Sequence, residues 1–553
     1  MSDVAVVEPT AEPASTRYEK WRQHFEKFEA WLSKASDYLN PILVKETRQA
    51  LKSRQFGLAF VLLLIVCWLI TIFAMTTAGP GVYYSAVGRS LLMWYYIVLI
   101  FPMIVMVPFA AFRSLSGERE ENTYDLLRVS TLSPHQIVRG KLASAIVQDG
   151  VYLSAVAPCI AFTYLLRGID VLTIGLLLVT VTLASIGLSM IGLFLAALSK
   201  RKQGQILLSV LFVAALLLSL MGAISGSVEF ISGGESLSGE EAWIVLSCSF
   251  TFYATTFLML YLATVALTAY SSDNRSTPLR WSMVLQQAAF VGWIAYFWIE
   301  DGYTRLAIPS LIIISTIYWY CMGTMLTTET AELSHRVRRK LPQSGMGRMM
   351  FGLFNPGPGT GYFFAVANLT AVVWLAFLAM GWISYSGVGP NRGFSLDELT
   401  ALVLIYWGLM VFYLGIGKLV VRVVARFTEV TTVAGFLIHV LVILAGSGIP
   451  FALQSSLRNW RNMGYNFMQW LNPLWTMAEY GDGVRVDESV MLHVMVVSCL
   501  ALCVMWINLP GAAKELMQGR VALPTRVVQD EAELHPVEIK PQSPWDEEPT
   551  TAE

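Results

Sequence analysis

Twelve runs of about twenty apolar residues, spread along a chain of 553, constrain this sequence more than any other feature. Each run matches the hydrocarbon thickness of a bilayer, and no water-soluble fold hides so many of them. They cover residues 56–75, 90–112, 142–166, 171–198, 204–224, 242–270, 282–299, 306–327, 362–385, 399–419, 430–451 and 490–509. The first, FGLAFVLLLIVCWLITIFAM, carries no charge. Composition agrees: 14% of residues are charged and mean hydropathy is +0.56, where soluble domains hold roughly 25% charged residues. The sequence predicts an all-α polytopic membrane protein of about twelve transmembrane helices. The pair 282–299 and 306–327, joined by a short turn, admits a re-entrant hairpin that leaves ten.

The distribution of basic residues fixes orientation, because Lys and Arg collect on the cytoplasmic side. With the N-terminus inside and alternating sides, only Arg89, Arg167, Arg305, Arg392, Arg458, Arg461 and Arg485 of the 38 Lys and Arg fall outside. Both termini are therefore expected in the cytoplasm, with the protein in the cell membrane. No cleavable leader is visible in the polar, acidic start, so the first span is expected to be its own insertion signal. Net charge of −1 gives no reason to expect nucleic acid.

Four regions follow. Residues 1–55 form a cytoplasmic tail, 56–270 a first set of six spans, 271–510 a second set, and 511–553 a Pro- and Glu-rich tail predicted to be disordered. Within the first tail, Tyr18, Trp21, Phe25, Phe28, Leu32, Ala35 and Leu39 make an apolar stripe over 16–39, the pattern of an interfacial amphipathic helix or of a seam against the protein's own loops. Asn40-Pro41 then reads as a helix restart, Asn capping and Pro in the first turn.

The second cytoplasmic segment, 113–141, is far longer than a turn needs. Gly117 and the charged Glu118–Glu121 stretch are expected to break the helix. A short helix at 123–130 then carries Leu126 and Leu127, and Ser133-Pro134 caps the next span. An exposed Leu pair among charges on the membrane's inner face suits the docking of a soluble partner. Elsewhere, 328–361, with HRVRRK at 335–340 and FNPGPGTG after it, reads as a loop. The outer segment 454–489 is too apolar for one, and reads as an interfacial or re-entrant hairpin capped at Leu471-Asn472-Pro473.

Motifs for chemistry are scarce. The six His stand in no metal spacing, and neither GxSxG nor GxxxxGK[ST] occurs, so the chain lacks the phosphate cradle of a P-loop ATPase. Six scattered cysteines without CxxC exclude a disulfide scaffold and a zinc ribbon. Cys499 and Cys503, one turn apart, are expected as buried packing groups. The deep charge is Asp149 beside Gln148, which either lines a polar path or caps a helix–helix contact. His439 and His493 read as isolated. Gln286, Gln287 and Asn368 read as interhelical hydrogen-bonding groups.

NPILVKETRQALKSR before the first span and GEREENTYDLLRVSTLSPHQIVRGKLASAI after the second resemble the membrane subunits of type-two ABC exporters. The likeness spans 40–198; beyond it lies only the outer stretch ending LNPLW. In that family an elbow helix precedes the first span, and a coupling helix lies between spans two and three. The resemblance assigns the ATPase-coupling loop to Glu118, Glu120, Glu121, Thr123, Leu126, Leu127, Thr131, Ser133, Pro134, Gly140 and Lys141. It implies a permease subunit, with no cofactor of its own, that docks a separate cytoplasmic ATPase holding ATP and Mg. The pathway is then built by a homodimer, a second permease or the chain's own two halves. The second region is either a degenerate permease half or an appended bundle. A twelve-span secondary carrier or channel, with Asp149 in its path, is the competing reading; a membrane enzyme or scaffold is the third.

Overall fold

The computed structural model describes residues 40–79, 87–121, 124, 132–166, 168–199, 202–233, 239–270, 272–300, 306–330, 332–339, 341–342, 344–386, 395–458, 464–481, 486–522 and 524–534. The stripe at 16–39 lies outside them. Among the described residues there is helix and no strand, and twelve helices are long and apolar enough to cross a membrane. The pair at 282–299 and 306–327 forms two such helices of 24 and 20 residues, so the count is twelve.

Two compact units divide the chain, Met1–Ala269 with Trp281–Trp293, and Tyr270–Arg280 with Ile294–Glu553. The first begins with α1 (Pro41–Leu51), started as the local signals require: Asn40 Oδ1 accepts from the Ile42 N–H and Pro41 stands in the first turn. The spans α2 (Arg54–Ala78), α3 (Val87–Glu120), α4 (Pro134–Leu165), α5 (Val171–Leu198), α6 (Lys202–Gly233) and α7 (Glu240–Thr268) follow. Pro102 and Pro108 interrupt α3, which widens to a π turn over Pro102–Met106 where the helical hydrogen bonds lose two donors. That turn is buried, and α3 with α4 and α5 makes the core of the unit.

The second unit takes in the ends of α8 (Thr277–Glu300) and then α9 (Ala307–Leu326). Two short helices follow, α10 (His335–Arg339) and α11 (Gly345–Gly352). The spans α12 (Pro358–Ser386), α13 (Leu396–Val424) and α14 (Thr432–Arg458) come next. A 3-10 turn at Phe467–Gln469, α15 (Pro473–Gly481), the span α16 (Glu488–Leu516) and α17 (Thr525–Leu534) complete the unit. The stretch 328–361 is therefore not a plain loop: α10 and α11 occupy much of it. In the segment 454–489 the chain folds back on α13, α14 and α16. Asn472 starts α15 by accepting from Trp475 N–H at 3.1 Å, Tyr406 donates to Met477 O at 2.5 Å, and Gln469 joins Gln454 to Asn472.

Taken separately, the units repeat one packing order. In each, the second span (α3; α9) lies on the third, fourth and fifth, the fourth (α5; α13) on the third, fifth and sixth, and the third (α4; α12) on the sixth. The charges that fasten each set are not the same: Glu118 with Lys141 in the first, Glu329 with Arg280 in the second.

Candidate functional site

In the first unit the residues singled out by sequence gather where α3 ends and α4 begins. α3 does not break at Gly117 but runs on to Glu120. A Gly costs a helix only about 1 kcal/mol, and here the turn beyond it is tied down by ion pairs. Glu118 Oε2 lies 3.0 Å from Lys141 Nζ, and Glu118 Oε1 accepts from Lys45 at 3.2 Å. Lys141 also donates to Glu46 Oε1 at 2.8 Å and to Ser114 O at 2.9 Å, so two hydrogen bonds and the charge of Glu118 offset its burial. Its side chain is 1% exposed and the two carboxylates 11% and 12%. A buried ammonium is tolerated on such terms alone.

Gly140 brings α1 against α4: a Cβ there would stand 2.8 Å from Ile42 Cβ. Ser133 and Gln136 close a reciprocal cap on α4, and Pro134 takes the first turn. Arg119 donates to Ala197 O at 2.7 Å and to Ser199 O at 3.2 Å, satisfying carbonyls at the end of α5. Tyr124, under the Arg119 guanidinium, donates to Thr268 O at the end of α7. His135 and Arg139 both reach the Tyr261 hydroxyl of α7. Glu120 makes only a loose pair with Arg113, 3.7 Å apart, and Glu121 is the exposed cap of α3. Thr123, Leu126, Leu127 and Thr131 lie outside the described residues. The described residues on either side of them are fastened to α1, α3, α4, α5 and α7.

Gln148 and Asp149 are not part of that base. Gln148 donates to Ser144 O on its own helix, and Asp149, fully buried, accepts from Ser185 Oγ of α5 at 2.8 Å. Asp149 therefore joins two helices, and its Oδ2 has no hydrogen-bond partner among the described residues.

Several sequence expectations change. His493 is not isolated: its Nε2 lies 2.9 Å from Trp470 O, its Nδ1 3.0 Å from the Tyr480 hydroxyl, and its ring stacks on Trp470. His439 is fully buried between Gly435 O and Thr327. Cys499 and Cys503 are exposed rather than buried. Gln286 does bond across helices, to Thr256 at 2.8 Å, whereas Asn368 bonds Phe364 O of its own helix. Among the described residues no three His, Cys, Asp or Glu are placed to hold a metal.

The second unit holds a network the sequence reading missed. Arg280, fully buried, lies 2.6 Å from Glu329 Oε2 and donates to Leu353 O and Gly357 O. Glu329 accepts from Gly357 N–H at 2.9 Å and from Ser276. Glu515 accepts from Gly359 N–H at 3.0 Å and Thr360 N–H at 2.8 Å, a carboxylate at the N-terminus of α12. Gly357 stands at φ +154, and a Cβ there would press on Glu515 and Thr360. Lys418, buried in α13, lies 5.4 Å from the Tyr362 ring, so Asp149 is not the whole of the deep charge. The signal that was available is the isolated Lys inside GIGKLVV and the Gly-Pro start of α12.

Neither a family model, nor a curated protein, nor a solved structure matches the chain.

Proposed function

We propose that the chain is the membrane-spanning subunit of an ATP-driven exporter, with both termini cytoplasmic and segment 113–141 as the site where a separate ATPase docks. The observation that carries this reading is the base of that segment. Glu118, Arg119, Tyr124, Ser133 and Lys141 fasten its two ends to five helices of the first unit. A push on such a segment moves packed helical bodies rather than a free loop, which is what coupling to a distant nucleotide reaction requires. ATP and Mg are held by the partner, and this chain contributes the pathway and the lever. The repeated packing order supports a pathway built from two halves of one chain, with the second unit as a permease half rather than an appended bundle.

The test is a mild-detergent pull-down of the full chain from its host, followed by mass spectrometry. Co-purification of an ATPase with a phosphate-binding loop, lost in Leu127→Asp while the membrane fraction holds the same amount of protein, is the expected result. Its reproducible absence from the wild type overturns the reading.

A second reading, a carrier driven by an ion gradient, is favoured by one observation: the buried Asp149 oxygen without a hydrogen-bond partner among the described residues. Flux that persists without ATP and vanishes in Asp149→Asn would select it.

A further inference from the structure

The short helix α10 presents His335, Arg336, Arg338 and Arg339 around one inward residue, Val337. It is fixed in place from several sides. Ser334 donates to Ser272 O at 2.6 Å, Leu333 N–H to Gln518 Oε1 at 3.1 Å, and Arg338 Nε to Gly519 O at 3.0 Å. Arg336 meets Asp273 yet keeps 65% of its side chain exposed. Arg339 Nε is shielded and has no hydrogen-bond partner among the described residues. A cleft of about 360 Å³ lined by Asp273, Asn274, Arg336 and Val337 opens beside the helix.

α11 is fastened near the same end of α16 that holds α10. Met346 and Phe351 are exposed, while Gly352 backs closely onto Leu516 at the end of α16. Depth decides what covers them. α16 has 29 residues, about 44 Å at 1.5 Å per residue, against a hydrocarbon core of about 30 Å and about 40–45 Å with headgroups. The end of α16, with α10 and α11 fastened to it, therefore stands at headgroup level. Arginines on one short helix and exposed Met and Phe on another, both fastened at that depth, meet phosphates and acyl chains respectively.

We propose that α10 and α11 form a binding site for the headgroup of an anionic phospholipid, with Arg336, Arg338 and Arg339 as its cationic contacts. The site does not depend on the exporter reading.

The test is native mass spectrometry of the full chain, released from mixed micelles holding equal phosphatidylglycerol and phosphatidylcholine. The wild type is expected to retain phosphatidylglycerol at least tenfold over phosphatidylcholine. Arg336→Gln/Arg338→Gln/Arg339→Gln removes most of that preference, and the same positions changed to Lys restore it, which a purely structural role for the arginines would not allow. Should the triple variant misfold, Arg336→Gln alone touches an exposed side chain and is expected to lower the preference about threefold. Equal retention of the two lipids by the wild type, or an unchanged preference in a folded Gln variant, overturns the proposal. So does loss of a soluble protein partner from the variant with lipid preference intact, which would make α10 a protein-docking surface.

Discussion

Replacing Lys141 by Met tests whether the base of segment 113–141 is held as its geometry indicates. Met keeps the stem and removes the ammonium, leaving Glu46 and Glu118 facing each other at 11% and 12% exposure. Breaking a buried ion pair by removing one partner costs about 3–5 kcal/mol. Part of that is returned here, since each carboxylate touches water and Glu118 keeps Lys45 at 3.2 Å. A loss of about 2–3 kcal/mol remains, or about 30- to 140-fold in the opening equilibrium of α1 from α4 at 1.4 kcal/mol per tenfold. Amide hydrogen exchange over 41–51 in micelles reads this directly. Lys45→Met is the control, because its side chain is 56% exposed and a surface pair is worth about 0–1 kcal/mol. Adding Glu118→Gln to Lys141→Met should recover part of the protection by removing one stranded charge. Equal exchange in the two single variants would refute the reasoning, because the carboxylates would then not depend on the buried cation.

Two further outcomes follow from local geometry. Gly117 has nothing within 4 Å of where a Cβ would stand, so Gly117→Ala is expected to slow exchange over 113–120 by about fivefold, the worth of about 1 kcal/mol of helix propensity; faster exchange would mean that α3 does end there. Asp170 caps α5 by accepting from Thr173 N–H at 3.0 Å and from its hydroxyl, and these bonds hold its carboxyl below the ordinary range. A depressed value in the folded state means stability present above the unfolded value near pH 4 and lost as pH falls through the folded one. The gap in thermal unfolding between wild type and Asp170→Ala, about 1 kcal/mol at pH 7, should close below about pH 4; a gap independent of pH would remove the carboxylate from the cap.

What the sequence makes legible here is local. Asn40-Pro41 and Ser133-Pro134 announce helix starts because a cap uses groups two or three residues apart, and both stand where expected. The spans are legible because length and hydropathy alone define them. Partners brought from afar are not. Arg280 sits just before an apolar run and reads as an ordinary flanking charge, yet its acceptors come from residues 49 to 80 positions away. His493 reads as isolated because Trp470 and Tyr480 reach it only once the segment before it has folded back. Gly117 misleads in the other direction: its weak propensity is overridden by contacts that Glu118 makes 23 and 73 residues away.

The two units show how much can change while a packing order persists. At the end of the second span each has a glutamate bound to a buried cation, Glu118 with Lys141 and Glu329 with Arg280. In the first unit the cation comes from the third span and a second carboxylate from α1 completes it. In the second unit the cation comes from the first span, and the glutamate itself accepts the Gly357 N–H ahead of the third. Each arrangement joins the neighbours of the second span where backbone groups at helix ends lack partners. The requirement is for paired charge at that place, and either Lys from one helix or Arg from another meets it. The residues that meet it therefore differ in type and position between the halves, although in both the end of the second span is tied to the start of the third.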